Sequence, residues 1–311
     1  MDGKEELKIK YDLGENVIWC KNKCIAGKKY YRLIIAFISY TFPYIGILVI
    51  IFITKNKKSF IFTKILISIL YILEIYSSFR VGCTDPGILP KQYVSYVKKK
   101  PERKNVIRGH LITLKYCISC DIFRPPRSSH CSKCDNCVQK FDHHCDWIGT
   151  CVGIRNYKFF YLLIFCLTID DIYQIVFCLY ILFSHIKEEK SNDWKFFTII
   201  ISISIIVLYD LLFINLFLCK LYVSHTYFCI NNLSYYECHK KKFNEIPFFN
   251  PYKQNFYNNF RQIFCKSARK TIFFDEPFNM IDNNFHDQIN VHHTNENIKI
   301  ANKLLKRENK I

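Results

Sequence analysis

The residues able to do chemistry crowd into one short stretch. Cys117-x2-Cys120 is followed by His130-Cys131-x2-Cys134-x2-Cys137, then by Asp142-His143-His144-Cys145, and finally by Cys151. Cys-x2-Cys turns bring two thiolates close enough to share a zinc ion, and interleaved histidines supply further donors. The stretch offers seven cysteines and three histidines. Two closed tetrahedral sites would use eight of these ligands and leave one cysteine and one histidine, the composition of a nucleophile and its base. Spacing alone leaves open which pair is spared. Asp142, His143 and Cys145 form the favoured set: an acid to orient an imidazole, an imidazole to activate a thiol, and a thiol to attack. A zinc module whose ten residues are ligands or inert neighbours, and which only binds partners, stays open at this point.

The residues between the ligands are polar and turn-forming, among them Pro125, Pro126, Ser128, Ser129, Asp135 and Asn136. A loop this polar lacks the apolar mass for a core, so metal binding would have to supply folding energy. The first apolar run begins only near Leu33 and is too long for a signal peptide. A reducing compartment and metal ligation therefore fit the 16 cysteines better than disulfides do.

Four elements are expected to position this stretch. Half of the chain is hydrophobic while 23% is charged, so the apolar residues must be gathered in blocks. Apolar runs cover Leu33 to Thr54, Phe60 to Phe79, Phe159 to Ile186 and Phe196 to Cys219. The first is uncharged, and its 22 residues reach roughly 33 Å as a helix, against a hydrocarbon core of about 30 Å. The others carry Lys64 and Glu74, Asp170 and Asp171, and Asp210. Intramembrane acids are costly. Interhelical hydrogen bonds, with Tyr173 or Tyr209 as partners, are the expected reason for them, ahead of a limit on ligand length.

Charge sets the orientation. Lys and Arg number eight in residues 1–32, fifteen in 80–158 and fourteen after Leu218, while the two short connectors are far less basic. By the positive-inside rule both termini and the long middle loop face the cytoplasm. The net charge of +18 would also suit nucleic acid. The cluster lacks the Cys2His2 finger spacing and recognition helix that reading needs, so no nucleic-acid partner is expected. The expected fold class is all-α membrane, with four transmembrane helices and a small zinc-stapled cytoplasmic domain of short β-hairpins between the second and third. The expected divisions are a cytoplasmic segment 1–32, helices one and two in 33–79, the zinc domain 80–158, helices three and four in 159–219, a cytoplasmic element 220–265, and a mobile polar tail 266–311 with a short helix near Ile298 to Leu305.

The run from Cys117 to Phe160 resembles the cysteine-rich domain of the Asp-His-His-Cys (DHHC) protein S-acyltransferases. The resemblance is carried by the ligands above together with Arg124, Pro125, Arg127, Trp147, Val152, Gly153, Asn156 and Phe159. Asp85-Pro86-Gly87 after the second span, and Asn250-Pro251-Tyr252 with Asn259, resemble further elements of that family. The resemblance implies one zinc on Cys117, Cys120, His130 and Cys137, and a second on Cys131, Cys134, His144 and Cys151. It further implies Cys145 as nucleophile, His143 as base and Asp142 as its orienting acid. The implied reaction is ping-pong transfer of a long acyl chain, such as palmitoyl, from acyl-coenzyme A to cysteines of membrane-associated proteins. Arg124, Arg127, Lys140 and Arg155 are candidate contacts for the coenzyme phosphates. A multi-pass protein of the Golgi or endoplasmic reticulum is expected, ahead of the plasma membrane. Asp146 stands where the family usually has proline, and Ser234-Tyr235-Tyr236-Glu237 where it has Thr-Thr-x-Glu. A carboxylate beside the thiol is expected to disfavour the thiolate and slow the enzyme. An impaired, membrane-anchored scaffold is the alternative.

Overall fold

The computed structural model describes residues 12–19, 24–53, 60–91, 103–108, 110–187, 194–240 and 250–265. The whole of the expected tail 266–311, including 298–305, lies outside them. Apolar runs become long helices because a buried or lipid-facing backbone must satisfy its own polar groups. Helix α1 spans Tyr31–Ile53, α2 Ile61–Cys83, α3 Tyr157–Lys187 and α4 Trp194–Asn231. Among the described residues, α1, α2 and residues Tyr157–Ser184 of α3 are long and apolar enough to cross a membrane. The expected fourth span is the first part of α4, whose 38 residues run on well past Cys219.

Inside the bundle, α3 packs against both α2 and α4, and α1 reaches α2 and α4. Its core includes Ile47, Ile50, Ile51, Ile67, Phe177, Ile181 and Ile200. Hydroxyls join the helices: Tyr40 Oη donates to Ser78 Oγ at 2.7 Å, and Thr63 Oγ1 meets Tyr173 Oη at 2.9 Å. Tyr173 is therefore not the hydrogen-bond partner of Asp170, and the side chain of Tyr209 is outside those described. Asp170 Oδ2 accepts from Gln174 Nε2 at 2.5 Å, one turn along its own helix, while Tyr173 is turned to α2. Glu74 on α2 is buried with neither carboxylate oxygen hydrogen-bonded. Asp210 lies on α4, and its side chain is outside those described.

Between α2 and α3 the chain changes character, as its polar composition requires. It forms short strands of two to five residues in place of helices. Strand β1 (Val17–Trp19) pairs with β2 (Cys24–Ala26) ahead of α1. After α2 come β3 (Ile88–Leu89), β4 (Arg103–Ile107), β5 (His110–Leu114), β6 (Tyr116–Cys117), β7 (Ile122–Phe123), β8 (Ser129–Cys131), β9 (Asn136–Val138), β10 (His143–Cys145) and β11 (Thr150–Val152). All pairings are antiparallel: β3-β9-β8 as a three-stranded sheet, and β4-β5, β6-β7 and β10-β11 as hairpins. The expected helical bundle with a hairpin-built insert is thus a mixed architecture, and the strands belong to the insert and the segment before α1. Two short helices follow α4: α5 (Tyr235–His239) and α6 (Phe256–Phe264).

Candidate active site and metal centres

Each cysteine–histidine cluster is built from the same two parts, a Cys-x2-Cys turn and a His–Cys pair facing each other across a hairpin. In the first, Cys117 ends β6 and Cys120 lies in the turn to β7, while His130 on β8 is directly opposite Cys137 on β9. In the second, Cys131 and Cys134 frame the β8–β9 turn, and His144 on β10 is directly opposite Cys151 on β11. In each group the four donor atoms lie within 4.8 Å of one another.

The spacing fits zinc. Bonds of about 2.3 Å to sulfur and 2.0–2.1 Å to nitrogen place sulfur and nitrogen about 3.5 Å apart around a tetrahedral ion, and two sulfurs about 3.8 Å apart. The sulfur–Nδ1 separations are 3.6, 3.4 and 3.9 Å in the first cluster and 3.7, 3.3 and 3.7 Å in the second. Cys134 and Cys151 stand 3.6 Å apart. Three sulfurs and one nitrogen already complete a tetrahedron, so both clusters fit a closed structural zinc site.

Strand alternation then separates ligand from nucleophile. Successive side chains on β10 point to opposite faces. His144 faces the second cluster, so His143 and Cys145 share the other face. Cys145 is 7% exposed and packs with Val81 of α2 and with Phe160, Leu163 and Ile164 of α3. The thiol therefore sits where the hairpin domain meets the ends of the apolar helices.

His143 Nδ1 donates to Asp142 Oδ2 at 2.7 Å. Asp142 is 1% exposed, and its Oδ1 accepts the backbone N–H of Tyr235 at 2.8 Å. Burial alone would raise the Asp142 pKa. The His143 hydrogen bond and charge outweigh it and hold the carboxyl below its usual range. Burial likewise pushes His143 down, but Asp142, and the neighbouring Cys145 sulfur as a thiolate, raise its pKa to about 10. An imidazole that holds a proton this firmly keeps its positive charge beside Cys145 and favours the thiolate there once the thiol proton has been taken up.

The Tyr235 donor is fixed from behind. Ser234 and Glu237 form a capping box at α5: Glu237 N donates to Ser234 Oγ at 3.2 Å, and Ser234 N to Glu237 Oε2 at 2.9 Å. Serine serves here as well as threonine would. Glu237 also takes a bidentate pair from Arg127, at 2.8 and 2.7 Å. Arg127 further donates to Asn232 Oδ1 and O at 3.0 and 2.9 Å, and its guanidinium lies 4.4 Å over the Tyr252 ring. Asn250 and Asn259 hold this corner by donating to the carbonyls of Asn231 and Ile230, both at 2.7 Å.

The four candidate phosphate contacts lie mostly inside the protein. Arg127 is engaged as above, and Arg155 is 7% exposed and paired with Asp85. Lys140 Nζ donates to Asn232 Oδ1 at 3.2 Å, and burial followed by the Arg127 charge lowers its pKa to about 7. Arg124 Nη1 reaches Ser129 Oγ at 3.5 Å. Phosphate contact by Arg127, Lys140 or Arg155 would require these partners to be given up. Asp85 also accepts from the backbone N–H groups of Gly87 and Ile88 at 2.8 and 2.9 Å, which fixes the exit from α2.

Asp146 is neutralised by neighbours that sequence spacing did not reveal. Its Oδ1 accepts from Arg32 on α1 at 2.8 Å, and its Oδ2 from Lys133 at 2.5 Å. The charge beside the thiol thus lies within hydrogen-bonding distance of two cations. Gly149 has φ +77°, and a Cβ there would meet the Lys29 carbonyl oxygen at 2.1 Å. The β10–β11 turn therefore rests directly on the segment leading into α1.

Sequence reasoning missed His225. It is 1% exposed on α4, with its ring centroid 6.0 Å from that of His143. One donor atom each of Asp142, His143 and His225 lie within 4.8 Å of one another. Its only signal was a histidine just beyond an apolar run.

Residues 110–242 match the family model described as DHHC palmitoyltransferase. The chain is 31% identical over 222 residues to "Probable protein S-acyltransferase 5" of Arabidopsis thaliana, covering 64% of this chain and 45% of that protein. It is 37% identical over 152 residues to "Palmitoyltransferase ZDHHC18" of Homo sapiens, covering 44% and 39%. It is 38% identical over 142 residues to "Palmitoyltransferase ZDHHC9" of Bos taurus, covering 40% and 39%. The chain thus spans less than half the length of these relatives. Residues 110–242, which match the DHHC palmitoyltransferase family model, hold both cysteine–histidine clusters and the Asp142–Cys145 run.

Proposed function

We propose that this chain is a protein S-acyltransferase that carries a long acyl group, such as palmitoyl, on Cys145. The observation that carries the reading is the placement of Cys145 on the same strand face as the Asp142-held His143, against the ends of α2 and α3. In the first half-reaction His143 accepts the Cys145 proton. The sulfur attacks the thioester carbonyl of acyl-coenzyme A, a new carbon–sulfur bond forms, and coenzyme A leaves as a thiolate that takes up the proton. In the second, a substrate cysteine attacks the acyl-Cys145 thioester, and Cys145 regains its thiol. Thioester exchanges for thioester, so neither step is far from energy balance. Zinc supplies no chemistry to these steps; its two closed sites hold the hairpins that carry His143 and Cys145.

The membrane follows from the acyl chain. At ~0.8 kcal/mol per methylene, keeping a sixteen-carbon chain out of water is worth on the order of 10 kcal/mol. Helices meeting Cys145 at their ends are suited to enclosing it. We assign a fourth span to α4, place both termini and the hairpin domain in the cytoplasm, and place the protein in the Golgi or endoplasmic reticulum. Its other partners would be acyl-coenzyme A and membrane-associated proteins with cytoplasmic cysteines. The test is incubation of the purified chain with labelled palmitoyl-coenzyme A. A hydroxylamine-labile label on the wild type and none on Cys145→Ser is expected. No label on either, with both zinc ions present, would favour a scaffold.

A further inference from the structure

The acyl-transfer steps use one imidazole, yet two stand at the site, His143 partly exposed and His225 buried. His225 lies on α4, and His143 and His225 both set their rings edge-on to Phe160 with centroids 5.0 Å away. His225 Nδ1 is 3.1 Å from Tyr157 Oη, which is itself 3.5 Å from Cys229 Sγ. With Nδ1 so engaged, Nε2 is the nitrogen left to face the Asp142–His143 pair.

Two nitrogens, from His225 on α4 and His143 on β10, and one oxygen, from Asp142 just before β10, thus converge within 4.8 Å. That is the donor set of a three-ligand divalent site with an open position. Zinc bonds of about 2.0–2.1 Å would separate tetrahedral nitrogen and oxygen donors by about 3.4 Å, which this spacing accommodates. His225 also has the outer contact that metal-binding histidines use. In the metal-bound form Nδ1–H would donate to Tyr157 Oη and the hydroxyl on to Cys229, so that the Nε2 lone pair goes to the ion. We propose that Asp142, His143 and His225 form a third divalent-metal site, and that zinc bound there switches the enzyme off. A bound ion takes a His143 nitrogen and the Asp142 carboxylate together and releases the proton they share to solvent. His143 then no longer accepts a proton from Cys145. This site offers three protein donors against four in each closed cluster, so its ion is expected to yield to a milder chelator than theirs.

That zinc inhibits rests on the acyl-transfer reading; that zinc binds does not. The full chain in detergent, holding two zinc ions after dialysis against a mild chelator, is titrated with zinc chloride in a metal buffer, and bound zinc is counted by elemental analysis. A third equivalent is expected in the wild type. His225→Phe keeps the ring packing and is expected to hold two ions and lose the third. Tyr157→Phe is expected to weaken the third by about 10- to 100-fold, and decides the matter if His225→Phe fails to hold its first two. In parallel, the third equivalent is expected to suppress labelling of Cys145 by palmitoyl-coenzyme A, with recovery on chelation. Absence of a third equivalent in the wild type, or its retention in His225→Phe, overturns the site. A third equivalent that leaves labelling unchanged overturns the inhibition. Failure to label at any zinc level counts against acyl transfer, and the zinc count still decides the site.

Discussion

The buried pair Arg127–Glu237 links the hairpin domain to the segment that orients Asp142, and a double-mutant cycle measures that link. The two side chains are 9% and 2% exposed and meet through two hydrogen bonds of 2.8 and 2.7 Å. Burial pushes the Arg127 pKa down and the Glu237 pKa up, but each partner's charge reverses the other's shift. Both groups therefore stay ionised, and removing either leaves a charge buried without its partner. Such removals cost about 3–5 kcal/mol, whereas apolar replacement of both is close to neutral. Arg127→Met and Glu237→Leu should each lose about 3–5 kcal/mol. The double variant should lose only the α5 cap and the Asn232 contacts, about 1–2 kcal/mol. Denaturation in detergent followed by zinc release reads these values. The same singles should slow acylation of Cys145, because Tyr235 N–H is positioned by α5 and donates to Asp142. A hydrogen bond to a charged group is worth about 1.5–3 kcal/mol, roughly ten- to hundredfold in rate. Additivity of the two singles within about 0.5 kcal/mol would refute the linkage.

Zinc removal by a strong chelator should unfold the hairpins and abolish Cys145 labelling together; labelling that survives loss of both ions would overturn the structural role of the metal. Asp146→Asn should change stability by less than about 1 kcal/mol, since the carboxylate and Lys133 are half-exposed and Arg32 is 30% exposed; a larger loss in the same denaturation assay would show that the bridge holds the β10 turn. The raised His143 pKa stabilises the fold fully below its unfolded value near 6.5, and that contribution is lost as pH rises through about 10. The stability gap between wild type and His143→Gln should therefore narrow between those pH values, and a constant gap would refute it. Glu74→Leu should stabilise the bundle in detergent by about 1–3 kcal/mol, because both carboxylate oxygens are buried without hydrogen bonds; a loss of stability would mean that Glu74 has a partner in solution.

Periodic and spaced features were legible in the sequence. Apolar runs gave three of the long helices to within a turn, because their length and lack of charge leave few alternatives. The Cys-x2-Cys turns pointed to zinc because ligand spacing is local. Contacts between distant segments were not legible. Arg127 reads as a free cation until Glu237, 110 positions away, is folded onto it. Asp146 reads as a lone charge beside a thiol until Arg32, 114 positions away, reaches it. The fourth helix ran past its expected end at Cys219 because residues 220–231 are too polar to register as membrane, yet they remain helical and bring His225 to Asp142.

Which cysteine is a ligand and which a nucleophile depends on one register. His144 faces Cys151 and Cys145 faces Thr150 across β10–β11. Because side chains alternate along a strand, a slip of one residue would turn His143 and Cys145 toward the metal and His144 toward the bundle. A two-stranded ribbon of three residues has little intrinsic means of resisting that slip. Resistance comes from outside the hairpin. Asn156 accepts from Gly153 N at 2.9 Å and donates to the carbonyls of Cys151 and Val81, tying the end of β11 to α2. Asp142 N donates to the Val152 carbonyl at 2.9 Å, and Gly149 N to the Cys145 carbonyl at 2.8 Å, closing both ends. Asn156→Ala should therefore disturb both chemistries together. Reduced zinc occupancy at the second cluster should accompany reduced Cys145 labelling, and a variant that lost labelling with both zinc ions tightly held would show that the register is fixed elsewhere.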